Sequence, residues 1–313
     1  MKIIKKILLL LSVTLLLIII INYPKLNIIS GYAAKSTSSS IFVANRSVAL
    51  TNATDNNFSP INLANTAVSR ENNFALASTL GMLPRKAVYR NGLGSVLITK
   101  GYDANKKELI PKRSIINTSL AYPFGDKSQK DTLFNTINYE KLDLAVSSIF
   151  KNSYQTRAVL VLYKNQLIAE RYGKGFTKDS RILGWSMTKS ILSTVYGIMQ
   201  YQGKLSVQDR APILEWENDD RKEITLHNLL QMNSGLAWDE NYDKISDVTK
   251  MLFLEDDMTK MQQKQQLIDP PNSSWNYSSG TSNLLSGILR QKLGNQQEYL
   301  DSVSYTHLTL PTN

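Results

Sequence analysis

The pattern of apolar and polar positions changes character several times along the chain. From Ile7 to Ile21 apolar residues are almost continuous, broken only by Ser12 and Thr14 and preceded by Lys2, Lys5 and Lys6. A basic flank ahead of such a run predicts an export signal or, in the favoured reading, a retained single-pass anchor with the rest of the chain outside the cytoplasm. The run falls a little short of the roughly 20 residues that span a bilayer, and Ile3 and Ile4 extend it if the lysines snorkel. Periodicity is then weak: Ser36 to Ser40 reads as a linker, and Asn45 to Asn73 is rich in Asn, Ser and Thr. Phe74–Ala77 predicts a strand. Lys86–Arg90 and Ser95–Ile98 flank Asn91-Gly92-Leu93-Gly94, which predicts a hairpin. Residues 101–135 read as mixed loop, and Leu142–Phe150 as a short helix. Thr156–Tyr163, a turn at Lys164-Asn165-Gln166 and Leu167–Tyr172 predict a second antiparallel hairpin. Past Gly173 and Gly175 the period becomes helical. Met187, Ile191, Val195 and Ile198 predict a helix from Ser186 to about Gln202, stopped by Gly203. Thr225 is placed to cap a helix that turns Leu226, Leu229 and Leu230 inward. Residues 244–267 predict one or two helices, and another begins near Asn283.

Composition narrows the chemistry. In 313 residues, 42% apolar, there is no cysteine, and histidine occurs only at 227 and 307. Thiolate metal sites and a cysteine nucleophile are excluded, and a His-rich zinc site is disfavoured. A formal charge of +10 fits attraction to an anionic surface, but the basic residues are scattered and no nucleic-acid-binding signature is present.

What remains is hydroxyl chemistry. Gly184-Trp185-Ser186-Met187-Thr188-Lys189 contains Ser-x-x-Lys, and a helix puts Ser186 and Lys189 on one side. A desolvated lysine in its neutral form can take the serine proton. Free N–H groups of the first helical turn favour the negative charge that then develops. The pattern is common by itself, and its ordinary meaning is a capping serine. Tyr277, in a turn ahead of the last predicted helix, carries a phenol that can bond to a serine in a cleft and shuttle a proton; its ordinary meaning is a loop anchor. His227 offers a Ser-His-Asp alternative, though a packed helix histidine is the plainer reading. Trp238-Asp239-Glu240-Asn241-Tyr242 is an aromatic and acidic loop that either lines a cleft or is pinned to the core by Trp238.

Taken in order, these segments resemble the penicillin-recognising serine hydrolases: class C β-lactamases, D-alanyl-D-alanine carboxypeptidases, related esterases and 6-aminohexanoate-dimer hydrolases. The matching features are the 156–172 hairpin, Ser186-Met187-Thr188-Lys189, the Ile224–Leu236 helix and turn, and Tyr277-Ser278-Ser279. Gly235-Leu236-Ala237-Trp238-Asp239-Glu240-Asn241-Tyr242 is most similar to the 6-aminohexanoate-dimer hydrolase branch. The resemblance implies an α+β fold, β-lactamase/transpeptidase-like, with an antiparallel sheet carrying helices on both faces and a helical subdomain. It implies an acyl-enzyme formed on an amide or ester of a small molecule or short peptide, with no metal or cofactor. Ser186 would be the nucleophile, Lys189 the base and Tyr277 the proton relay, with Trp238, Glu240 and Tyr242 as a substrate wall. A non-hydrolytic penicillin-binding-like sensor or wall-binding module is the alternative the same cleft allows. The first half resembles an extension of exported members of this branch, with Ser38 and Ser95 where those carry cysteines.

No Lys-Thr-Gly-like third motif follows Tyr277. The expected organisation is therefore a signal or anchor over 1–24, an extension over 25–150, a partial catalytic domain over 151–302 with an incomplete sheet, and a non-native tail over 303–313. A chain so cut would be expected to fold poorly or lack turnover.

Overall fold

The computed structural model describes residues 2–304 except 104–108, 113–119, 123–124, 126, 130–131, 152–153 and 295. The tail from Tyr305 onward and parts of the loop read over 101–135 lie outside the described residues.

Helix α1 (Lys2–Asn22) holds the N-terminal apolar run. Among the described residues no helix is long and apolar enough to cross a membrane. That corrects the expectation of a transmembrane anchor and of a membrane partner, and the location argued from the anchor falls with it. The reason is length: behind Lys2, Lys5 and Lys6 the apolar stretch Ile7–Ile21 reaches about 22 Å as a helix, against a hydrocarbon layer of about 30 Å.

The chain divides into two compact units, Met1–Arg113 with Gly184–Asn313, and Ser114–Leu183. In the first, α2 (Leu26–Phe42) overturns the expected linker: Ser36 to Ser40 are all buried in it. Serine and threonine cost about 0.5 kcal/mol each in a helix interior, so packing decides. Ser30 and Thr79 pair at 2.8 Å, and Ser38 donates to Ser95 at 2.8 Å. Thr51 donates to Ser40 at 2.8 Å and Asn56 to Thr37 at 3.1 Å. Hydroxyls satisfied in this way can be buried without a large penalty. The apolar face of α2, with Ile29, Ala33 and Ala34, packs on Ala77, Ala87, Leu97 and Phe253.

The short α3 (Val48–Ala53) is capped by Ser47. It leads to a four-stranded antiparallel sheet in the order β1 (Ala64–Ser69), β2 (Phe74–Thr79), β3 (Met82–Arg90), β4 (Gly94–Leu97). Arg90 faces Gly94 across the expected turn, where Gly92 takes φ +75.

The second unit holds α4 (Tyr139–Ile149), β5 (Ala158–Tyr163) and β6 (Gln166–Tyr172). The hairpin pairs Tyr163 with Gln166. Lys164 and Asn165 between them both have positive φ, at 47 and 58, the backbone of a tight turn matched to strand twist. This sheet has two strands among the described residues.

The rest of the first unit is helical: α5 (Met187–Tyr201), α6 (Leu226–Leu230), α7 (Asp247–Phe253), α8 (Thr259–Gln263), α9 (Ser279–Lys292) and α10 (Gln296–Ser304). Helix α5 forms where its period predicts, and it buries Leu192, Val195, Tyr196 and Met199. Met187 and Ile198, which share the predicted stripe, are exposed. The Tyr196 hydroxyl, donating to the Leu285 carbonyl at 2.8 Å, anchors that face against α9. Leu226 and Leu229 of α6 and Leu284, Leu285, Ile288 and Leu289 of α9 complete this core.

Candidate active site

Ser186 stands at the N-terminal boundary of α5, yet its side chain makes no capping bond. Its hydroxyl is occupied elsewhere. Lys189 Nζ donates to Ser186 Oγ at 3.3 Å, and Tyr277 Oη donates to the same oxygen at 2.8 Å. The ammonium also lies 4.8 Å from the centre of the Tyr277 ring, within cation–π range. One turn of α5 supplies the serine and the lysine, and the phenol comes from 91 residues further along. The residue before the serine, Trp185, has φ +42, a conformation rare for a bulky side chain and often found at functional turns. Its ring stacks on Tyr32 of α2 at 6.3 Å and 18°.

Tyr277 is set by a local helix cap on one side and by longer-range bonds of its neighbour on the other. Ser278 caps α9 by accepting from the Thr281 N–H. Asn276 is held by its N–H on the Met232 carbonyl at 2.9 Å and by its amide on the Trp238 carbonyl at 3.3 Å. The loop it meets follows α6, which has a capping box between Thr225 and Asn228. Gly235 turns that loop with φ +77, and a Cβ there would lie 1.9 Å from the Asp269 carbonyl oxygen, so only glycine fits.

The three wall candidates occupy different surroundings. Trp238 is buried among Val248, Met251 and Met258. Its ring passes so close to Gly280 that a Cβ there would be 2.6 Å away. The Trp238 indole N–H donates to Glu240. Tyr242 is more than half exposed and donates to Glu240 at 2.9 Å; burial of part of its ring is the largest cause pushing its hydroxyl up to about 12. Glu240 also receives the Ser279 N–H at 2.9 Å and the Ser279 hydroxyl. Ser279 in turn accepts from Lys189 at 3.1 Å.

Ser279 was visible in the sequence only as the third residue of Tyr277-Ser278-Ser279. The hydrogen bonds that give it a place run to residues 39 and 90 positions away. The Trp185 backbone conformation left no signal in the sequence either. His227 sits on α6, and no hydrogen bond of the described residues joins its side chain to Ser186. No group of His, Asp and Glu among the described residues is arranged to hold a metal ion.

Comparison with known proteins adds to these observations. The chain spans about half the length of the solved structures it resembles. One is a Bacillus anthracis protein provisionally named a 6-aminohexanoate-dimer hydrolase, 19% identical, with a TM-score of 0.42, over 53% of this chain and 46% of that one. Another is a Bacteroides dorei DSM 17855 protein provisionally named a beta-lactamase, 18% identical, with a TM-score of 0.44, over 55% and 52%. No curated protein matches. The family model described as Beta-lactamase matches residues 148–304, half of the chain. That span holds the β5–β6 hairpin, Ser186, Lys189 and Tyr277. Its α+β architecture of antiparallel strands with helices, carrying a short sheet, is the β-lactamase/transpeptidase-like one, and the chain belongs to the beta-lactamase family, within a serine-hydrolase-like superfamily.

Proposed function

We propose that this chain carries out acyl transfer through Ser186 on an amide or ester of a small molecule or short peptide. The observation that supports the reading most is that Ser186 Oγ, free of capping duty, receives both Lys189 Nζ and Tyr277 Oη. Two donors on one hydroxyl oxygen stabilise the charge it gains as it loses its proton. In its neutral form the Lys189 amine takes that proton, and Oγ attacks the carbonyl carbon. The resulting oxyanion rests on the Ser186 backbone N–H at the start of α5. Collapse expels the amine or alcohol, which takes a proton from the Tyr277 hydroxyl, and the phenolate recovers one from the Lys189 ammonium. Water attack on the ester then releases the acid and restores Ser186. Tyr242, with its exposed ring, is the wall candidate best placed to meet substrate, whereas Trp238 acts from the core.

The test is covalent labelling by a fluorophosphonate, which needs an activated serine but no turnover. The wild-type chain is expected to carry the label on Ser186, and Ser186→Ala to lose it. Equal labelling of the two proteins would overturn the assignment.

A further inference from the structure

Glu240 is fully engaged by protein donors. One carboxylate oxygen accepts from the Trp238 indole and from the Ser279 N–H. The other accepts from the Tyr242 and Ser279 hydroxyls. A carboxylate offers about four lone-pair positions, and here each is taken. Such a group has little capacity left for a substrate, which argues against a role in the wall. Its two bonds to Ser279 have a further consequence. With the Ser279 proton directed at Glu240, the remaining lone pairs of Ser279 Oγ can only accept, and the donor they meet is Lys189 at 3.1 Å. Lys189 then reaches Ser186 at 3.3 Å from the same amine. Ser279 is itself buried, so water competes poorly for this link.

We propose that Glu240 is a positioning residue that acts through Ser279 to hold the Lys189 amine against Ser186. The proposal rests on the reading of Ser186 as nucleophile, but its geometry is independent of it. The chain of contacts is continuous: carboxylate, hydroxyl, amine, hydroxyl. Without the carboxylate, Ser279 is free to rotate and present its own proton toward the lysine, and the amine loses a fixed acceptor.

Two measurements on the full chain test this. The first is the rate of fluorophosphonate labelling at Ser186 in Glu240→Gln, Ser279→Ala, the double variant and Ser279→Thr. Each of the first two is expected to slow labelling about tenfold or more, the cost of a misplaced group. The double variant is expected to be no slower than the slower single one, because both break one chain. Ser279→Thr, which keeps the hydroxyl, is expected to recover most of the rate. The second is reductive dimethylation of Lys189 by formaldehyde and a borohydride, read by peptide mass spectrometry against Lys222. Release of the amine is expected to raise the Lys189 ratio several-fold in both single variants. If the wild type takes no label at Ser186, the acyl-transfer reading fails, and the Lys189 ratio alone decides the role of Glu240. Unchanged labelling and an unchanged Lys189 ratio would overturn the proposal. So would rate losses that simply follow lowered melting temperatures and are not recovered by threonine. Should Glu240→Gln fail to fold, Ser279→Ala carries the same test, since it leaves the N–H bond to Glu240 in place.

Discussion

Two clusters of hydroxyl groups lie in the same unit of this protein, and they differ in the groups their oxygens meet. Around α2, Ser30, Thr37, Ser38 and Ser40 are buried and paired with Thr79, Asn56, Ser95 and Thr51. At the start of α5, Ser186 is exposed and receives an amine and a phenol, and a carboxylate stands one serine away. The first cluster satisfies neutral groups among themselves and so holds a helix to a sheet. The second joins a hydroxyl to groups that can change charge, at the start of a helix. Hydrogen-bonded serine is therefore uninformative by itself; the titratable neighbour and the access of solvent make the difference.

The contrast can be broken most strongly at Ser186. Ser186→Ala is expected to lower fluorophosphonate labelling by about 10³-fold or more while leaving the melting temperature nearly unchanged. Ser38→Ala should do the reverse.

Gly280→Ala probes the support of the Ser186 cluster. Its Cβ would lie 2.6 Å from the Trp238 ring and from Gln262 Oε1. A loss of about 2–4 kcal/mol of stability is expected, together with slower labelling, because Trp238 also carries a donor to Glu240. Denaturant unfolding and labelling on the same sample check both.

In the buried cluster, Ser38→Ala leaves Ser95 without its partner and should cost about 1–2 kcal/mol. The oxidised Ser38→Cys, Ser95→Cys pair should instead add about 2–4 kcal/mol by closing the intervening loop, since the two oxygens already stand 2.8 Å apart. A non-reducing mass measurement and melting with and without reductant distinguish these outcomes.

The last effect concerns a charge inside α2. Burial, and then the neighbouring Arg90 guanidinium, push the Lys35 amine down to about 8 from 10.5. The folded state thus disfavours the charged form. The cost is complete below pH 8 and vanishes above pH 10.5, where the unfolded chain is also neutral. Lys35→Met is therefore expected to stabilise the chain at pH 7. That gain over the wild type should disappear as pH rises past 10.5. A constant gain across that range would show that packing, and not charge, limits α2.

Short-range physics was legible in the residues. The Asn91-Gly92 and Lys164-Asn165 turns, the cap at Thr225 and the start of α5 at Ser186 follow from backbone preferences and period, and all of them form. Ser186 and Lys189 are one helical turn apart, so their proximity was readable too. The α2 helix was not. Ser36 to Ser40 have poor helix propensity, and their burial depends on hydrogen-bond partners 11 to 57 residues away. The anchor reading failed on length, since α1 takes in the lysines as well as the apolar run.

Which segments become helices and hairpins around the site, and that a hydroxyl and an amine share a helix face, could be read from the residues in order. Those outcomes are settled within a few residues by dihedral preference, capping and apolar period. Folding in three dimensions was needed to choose which stripe of α5 turns inward, to bring a phenol from beyond Asn276 onto Ser186, and to turn Glu240 toward Ser279 and not open cleft. These depend on contacts between residues tens of positions apart, and a linear pattern contains no term for them until the chain has folded back on itself.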